Sequence, residues 1–122
     1  MRKVNIGTSK FTKVLAVDKP GEGGASHEYE IVSVKDKIDP IKIRFQKGPI
    51  KEAGINGCHH EDLIAIVIDR LRSFQNSEFS CYENKRALLK LKEALLWLNC
   101  RTVDRQRQGV EGTSLHRNKE VL

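Results

Sequence analysis

From Cys81 to Gln108 the chain runs without a proline or a glycine, the two residues that most readily end a helix. No other feature limits its fold as strongly. Leu88, Leu91, Leu95 and Leu98 recur at spacings of three and four, with Ala87 and Ala94 along their edge. The stretch therefore reads as one amphipathic helix of about 28 residues, roughly 42 Å long at 1.5 Å per residue. Ser80 followed by Glu83 is the capping-box signature that starts it near Cys81, and Gly109 is a natural C-terminal cap. Leu63, Ile64, Val67, Ile68, Leu71 and Phe74 predict a shorter helix over residues 59–76, and "QNSEFS" breaks the pattern between the two.

The long helix ends in "NCRTVDRQRQGVEGT". Cations are welcome at a helix C-terminus because its last carbonyls carry partial negative charge. At about 100° per residue, Arg101 and Arg105 extend the leucine face, whereas Arg107 points away with Leu89 and Leu96. Two guanidinium groups one turn apart on a packed face need an anion, either a carboxylate or a phosphate. Leu89, Leu96 and Val103 form a second apolar stripe, more sticky surface than one sheet and one helix require, so self-association is expected.

Residues 1–57 carry a different periodicity. Glycines and prolines punctuate the β-rich runs "KVLAV", "EYEIVSV" and "IKIRFQ". In the last, Ile41, Ile43 and Phe45 alternate with Lys42, Arg44 and Gln46, the period of a strand with one buried face. "DKPGEGGASH" reads as a mobile hairpin loop. The expected fold class is α+β: a small N-terminal antiparallel sheet of three or four strands, packed with a C-terminal two-helix hairpin. At 122 residues and 13.9 kDa this makes one domain over residues 1–115, with the β-rich part at 1–57, the hairpin at 58–109 and a flexible tail at 116–122.

A net charge of +6 favours anionic partners. "MRKVNIGTSK" has no apolar stretch behind it and no window reaches the length of a membrane span, so a cytoplasmic protein without a membrane partner is expected. Cys58, Cys81 and Cys100 have no CxxC pairing and are expected as reduced thiols. "CHHED" holds metal-ligand residues at consecutive positions, which point in different directions on a helix; a polar first turn explains them better than a metal site. "PGEGG" and "GINGC" lack the context of a phosphate loop. No nucleophile and base set or carboxylate pair stands out, so neither an enzyme nor a cofactor is expected. The aromatics are too scattered for a single-strand stacking platform, though a small basic nucleic-acid-binding accessory protein remains the alternative reading.

"FQKGPIKEAGING", "HEDLIAIVIDRL" and "ENKRALLKLKEALLWLNCRTVDRQRQGVEGT" together resemble the phage anti-CBASS and anti-Thoeris helical-hairpin sponges, the Thoeris anti-defence type above all. The resemblance covers about residues 41–115. It implies a protein that performs no chemistry and sequesters a cyclic ADP-ribose isomer, glyco-cyclic ADP-ribose, made as an alarm signal by a bacterial TIR-domain protein. Some relatives also take cyclic dinucleotides or trinucleotides in a separate pocket, and the family assembles as homodimers or as hexamers built from dimers. By matching motif, the pocket residues are Phe74, Asn84, Arg101 and Arg105. Phe74 would stack on adenine, Asn84 bond a base edge or ribose hydroxyl, and the arginines clamp the pyrophosphate. Lys47, beside the "FQKGP" turn, is added as an extra phosphate contact. Asn84 and Arg101 lie roughly 25 Å apart along a straight helix. Sharing one compact ligand therefore requires two copies of the long helix to run antiparallel.

Overall fold

The computed structural model describes residues 1–118, which divide into two compact units, Met1–Cys58 and the chain from His59 onward. In the first, β1 (Arg2–Lys3), β2 (Thr12–Ala16), β3 (Glu28–Ser33) and β4 (Ile41–Arg44) form an antiparallel sheet in the order β1-β2-β3-β4. The register explains the alternation in the sequence. Val14 faces Ile31 and Tyr29 faces Ile43, while Glu28 faces Arg44 and Glu30 faces Lys42. Apolar pairs thus collect on one side of the pleat and opposite charges on the other. Phe45 continues the apolar side, its ring edge-on to Tyr29 at 5.7 Å. The expected buried alternation fails at Ile41, which opens an edge strand and is 57% exposed.

Two loops are more ordered than their composition suggests. "DKPGEGGASH" was expected to be mobile, yet its Asp18 carboxylate accepts hydrogen bonds from the amides of His27 and Glu28 at 3.0–3.1 Å. The Asp18 carbonyl accepts the Ser26 hydroxyl, and both Ser26 and His27 are buried. One carboxylate therefore knots the two ends of the loop together. The second loop returns from Phe45 to Cys58 through a single helical turn, α1 (Ile50–Ala53). Asn56 accepts from the Lys47 amide and donates to the Lys47 carbonyl, both at 2.8 Å. Gln46 donates to the carbonyls of Gly48 and Gly54 and accepts from the Asn56 amide. A parallel bridge closes the base, with Cys58 N donating to Arg44 O at 2.8 Å and Gln46 N to Cys58 O at 2.9 Å.

The second unit holds α2 (His60–Gln75) and α3 (Tyr82–Arg107), the latter unbroken over 26 residues. In α2 the Asp62 carboxylate caps the first turn by accepting from His59 N at 2.8 Å. The N-cap of α3 is Cys81, one residue later than the serine signature implied: its thiol accepts from Asn84 N at 3.4 Å. The helix ends in a complete Schellman turn, Val110 N to Arg105 O and Gly109 N to Gln106 O, with Gly109 at φ 72°. Asn84, Leu88, Leu91, Leu95, Leu98, Thr102 and Arg105 are buried or half-buried at alternating spacings of four and three. Ile64, Ile68, Leu71 and Gln75 form the matching row on α2. Packing along this 3.5-residue average leaves Val67 and Phe74, both members of the apolar series that predicts the helix, off the seam, 43% and 39% exposed.

Candidate ligand-binding site

The turn between α2 and α3 is closed by a side chain. Gln75 donates to the Cys81 carbonyl at 3.0 Å and accepts from the Cys81 amide at 2.9 Å, while Ser77 bonds the Phe74 carbonyl and receives the Phe79 amide. This clasp fixes the last turn of one helix against the first turn of the next. Phe74 is presented there with its ring edge-on to Phe79 at 6.4 Å and the Arg70 guanidinium 5.5 Å from its centroid. Asn84 stands in the first turn of α3, half-buried on the seam, its backbone N–H donating to the Cys81 thiol. Phe74 and Asn84 therefore flank one turn, at one end of the hairpin. Phe79 and Arg70 join them without having been singled out in the sequence. The signal was a phenylalanine placed inside a polar break, where no core could use it.

Arg101 and Arg105 stand at the other end of α3, and the structure separates their roles. Arg101 is exposed and, among the described residues, makes no side-chain hydrogen bond or ion pair. The Arg105 side chain is 12% exposed. It donates to the carbonyls of Val110 at 2.8 Å, Thr113 at 3.1 Å and Leu115 at 3.3 Å, and its Nε lies 3.4 Å from the Glu111 carboxylate. Of the two anions the sequence left open for the arginine pair, a carboxylate is present beside Arg105. Arg107 is exposed in the last turn. The segment past the helix, expected to be a flexible tail from residue 116, is tied as far as Asn118: Arg117 pairs with Asp104 at 3.0 Å, and Gln108 bonds both the carbonyl and the amide of Asn118. The rest of that tail, residues 119–122, lies outside the described residues.

Lys47 belongs to the first unit, exposed, with its backbone held by Asn56. That unit also carries a shallow groove of about 360 Å³ over β3 and β4, lined by Glu28, Glu30, Lys42 and Arg44. These charges are already matched in sign across the strands, and Glu28 and Arg44 lie 3.7 Å apart. The groove has no net charge to offer an anion. No group of three or more metal-ligating side chains occurs among the described residues, nor does any helix there have the length and hydropathy to cross a membrane.

On α3 a row at seven-residue intervals, Tyr82, Leu89, Leu96 and Val103, is exposed, and Trp97 is 67% exposed.

Comparison with known proteins agrees with this architecture. Residues 37–103 match the family described as "Acb2/Tad1, hairpin domain", a span that includes Lys47, Phe74, Asn84 and Arg101 and stops short of Arg105. The chain is also 54% identical over 94 residues to the protein named Thoeris anti-defense 1 from Bacillus phage SBSphiJ7, covering 76% of this chain and 64% of that protein. It thus spans slightly less than two thirds of its relative's length. With more than half of its residues inside the family match, the chain belongs to the Acb2/Tad1 hairpin family.

Proposed function

We propose that this protein is a phage anti-defence sponge. It binds a cyclic ADP-ribose-type immune signal, glyco-cyclic ADP-ribose in the Thoeris case, and withholds it from its effector without degrading it, in the bacterial cytoplasm during infection. The 54% identity to a Thoeris anti-defence protein supports the biological class. The observation that carries the mechanism is the continuity of α3. An unbroken helix holds Asn84 and Arg101 roughly 25 Å apart, beyond the reach of one compact cyclic nucleotide. A pocket using both therefore takes Phe74 and Asn84 from one chain and Arg101 and Arg105 from another. Two copies of α3 running antiparallel bring those ends together. A two-fold dimer then carries two equivalent pockets, and such dimers can stack into a hexamer with room for cyclic dinucleotides or trinucleotides elsewhere. In the pocket Phe74 stacks on adenine, Asn84 reads a polar edge, and the guanidinium groups clamp the pyrophosphate. Lys47 adds a phosphate contact.

Mixing variants tests this arrangement. Asn84→Ala protein and Arg101→Ala/Arg105→Ala protein should each bind a cyclic ADP-ribose isomer poorly. After subunit exchange about half the protein is heterodimer, and about a quarter of all pockets should regain full affinity. Heating the wild-type complex should release intact ligand. Exchange without recovered binding would place the pocket within one chain. Tight DNA binding that falls steeply with salt, and no response to cyclic nucleotides, would replace the sponge with a nucleic-acid binder.

A further inference from the structure

Arg105 sits on the packed seam of α3, and the segment after the helix wraps around it. Three carbonyls, from Val110, Thr113 and Leu115, accept from its two terminal nitrogens. The remaining edge of the guanidinium faces Glu111. Here the geometry is incomplete: Glu111 Oε2 lies 3.4 Å from Arg105 Nε, yet this oxygen is buried and accepts no hydrogen bond. Among the described residues its partner oxygen accepts only the neighbouring Gly112 amide, at 3.2 Å. The carboxylate is thus held beside the guanidinium by charge, without the aligned N–H donors that a bidentate pair would supply. Two further tethers keep the segment folded back on the last helical turn. Arg117 bonds Asp104, and Gln108 bridges Asp104 and Asn118.

We propose that residues 110–118 form a strap in which the Glu111 carboxylate stands in for the anionic ligand of Arg105. A phosphate or pyrophosphate group binds by displacing it. This rests on the phosphate-clamp role given to Arg105 above. A phosphate presents more acceptor oxygens than the carboxylate, whose Oε2 goes unbonded, and can meet two N–H groups of one guanidinium together. Arg101, exposed one turn earlier, adds a second cation on the same side of the helix. The displaced carboxylate regains the hydration that burial denies its Oε2. Ligand affinity is therefore set partly by the population of strapped molecules, because a ligand that binds only the open form is weakened by the fraction closed.

Glu111→Gln separates this strap from a mere brace, since the amide keeps the shape and the Gly112 acceptor while removing the competing charge. With inorganic pyrophosphate and with cyclic ADP-ribose isomers as probes, the variant should bind up to about five-fold more tightly than wild type, the gain from abolishing a strap that closes about four-fifths of the molecules. In wild-type protein, saturation with pyrophosphate should accelerate hydrogen exchange at the amides of residues 111–115. Gln108→Ala, which cuts the tether to Asn118 without changing charge, should shift affinity the same way and serves as the second variant if Glu111→Gln folds poorly. Unchanged or weaker binding in the folded variants overturns the strap, and so does exchange that pyrophosphate leaves unaltered. A gain for pyrophosphate with no binding of any cyclic ADP-ribose isomer supports the strap while overturning the proposed messenger. Equal pyrophosphate binding by wild type, Glu111→Gln and Arg105→Ala overturns the strap whatever the messenger is.

Discussion

A methyl group at Gly57 would collide with backbone that has nowhere to go. A Cβ built there lies 2.5 Å from the Phe45 carbonyl oxygen and 2.7 Å from the Gln46 nitrogen, and closer still to the Phe45 carbonyl carbon. No flexible side chain is involved, so the strands of the bridge must separate. That movement disrupts the bonds from Cys58 N to Arg44 O and from Gln46 N to Cys58 O. Two hydrogen bonds at about 1 kcal/mol each, with overpacking of roughly 1–2 kcal/mol, give a destabilisation of about 3–4 kcal/mol for Gly57→Ala. Gly54 is the control. A Cβ there meets nothing within 4 Å, but φ +73° with ψ −179° is a region open essentially to glycine alone, at a cost of about 1–3 kcal/mol. Urea unfolding of both variants at one fixed protein concentration, followed by circular dichroism, compares the two costs. Gly57→Ala should lose more stability and should also expose the amides of Gln46 and Cys58 to rapid exchange. A Gly57→Ala protein as stable as Gly54→Ala would show that the close approach is not a constraint on the fold.

Arg101→Ala should weaken cyclic ADP-ribose binding by about 2 kcal/mol, the scale of a charge-assisted hydrogen bond, while Arg107→Ala, on the opposite side of α3, changes it little; equal losses by calorimetry would reduce the cluster to a diffuse positive field. Hydrogen bonds from the Glu28 amide, and then from His27, hold the Asp18 carboxyl below the usual carboxylate range. The folded state therefore gains stability from the ionised group above the ordinary carboxylate pKa of about 4 and loses it as pH falls through the lowered folded value. Asp18→Asn should flatten that acid limb in denaturation curves taken across the pH range, and an unchanged pH dependence would refute the assignment. Cys81→Ser replaces a long sulfur cap with a hydroxyl that caps helices well and should raise stability by about 0.5 kcal/mol; a loss in urea denaturation would mean that the thiol is held by more than its bond to Asn84.

The helical half was legible because its information is periodic. Leucines at three and four fix both the existence and the face of α3, and the absence of glycine until position 109 places its end within two residues. The cap was misplaced because serine is the commoner capping side chain, whereas the local backbone puts Cys81 in the extended conformation that an N-cap needs. For α2 the sequence shows a broad apolar arc that includes Val67 and Phe74, but not which edge of it meets a partner helix. The loop from Phe45 to Cys58 left no pattern at all. Gln46 and Asn56 recognise each other across ten positions, and a hydrogen bond at that separation has no periodic trace. Within the candidate site, the arginine pair and its need for an anion could be read from spacing. That Glu111 would face Arg105 depends on the Schellman turn reversing the chain.

Among the described residues the buried apolar side chains are only Ala16 in the first unit and Ile68, Leu88 and Val110 in the second, and no large side chain is fully enclosed. A leucine trimmed to alanine in such a molecule leaves little cavity, because solvent or a relaxed neighbour can fill the space. The hydrocarbon positions are therefore open to drift in size and branching. The unforgiving positions are polar: Asp18, Gln46, Asn56 and Gln75 each join backbone groups that several intervening residues would otherwise leave apart. A library of random substitutions screened for folded protein should return a map with its dark squares at carboxylates and amides, where most globular proteins show them at leucine and phenylalanine.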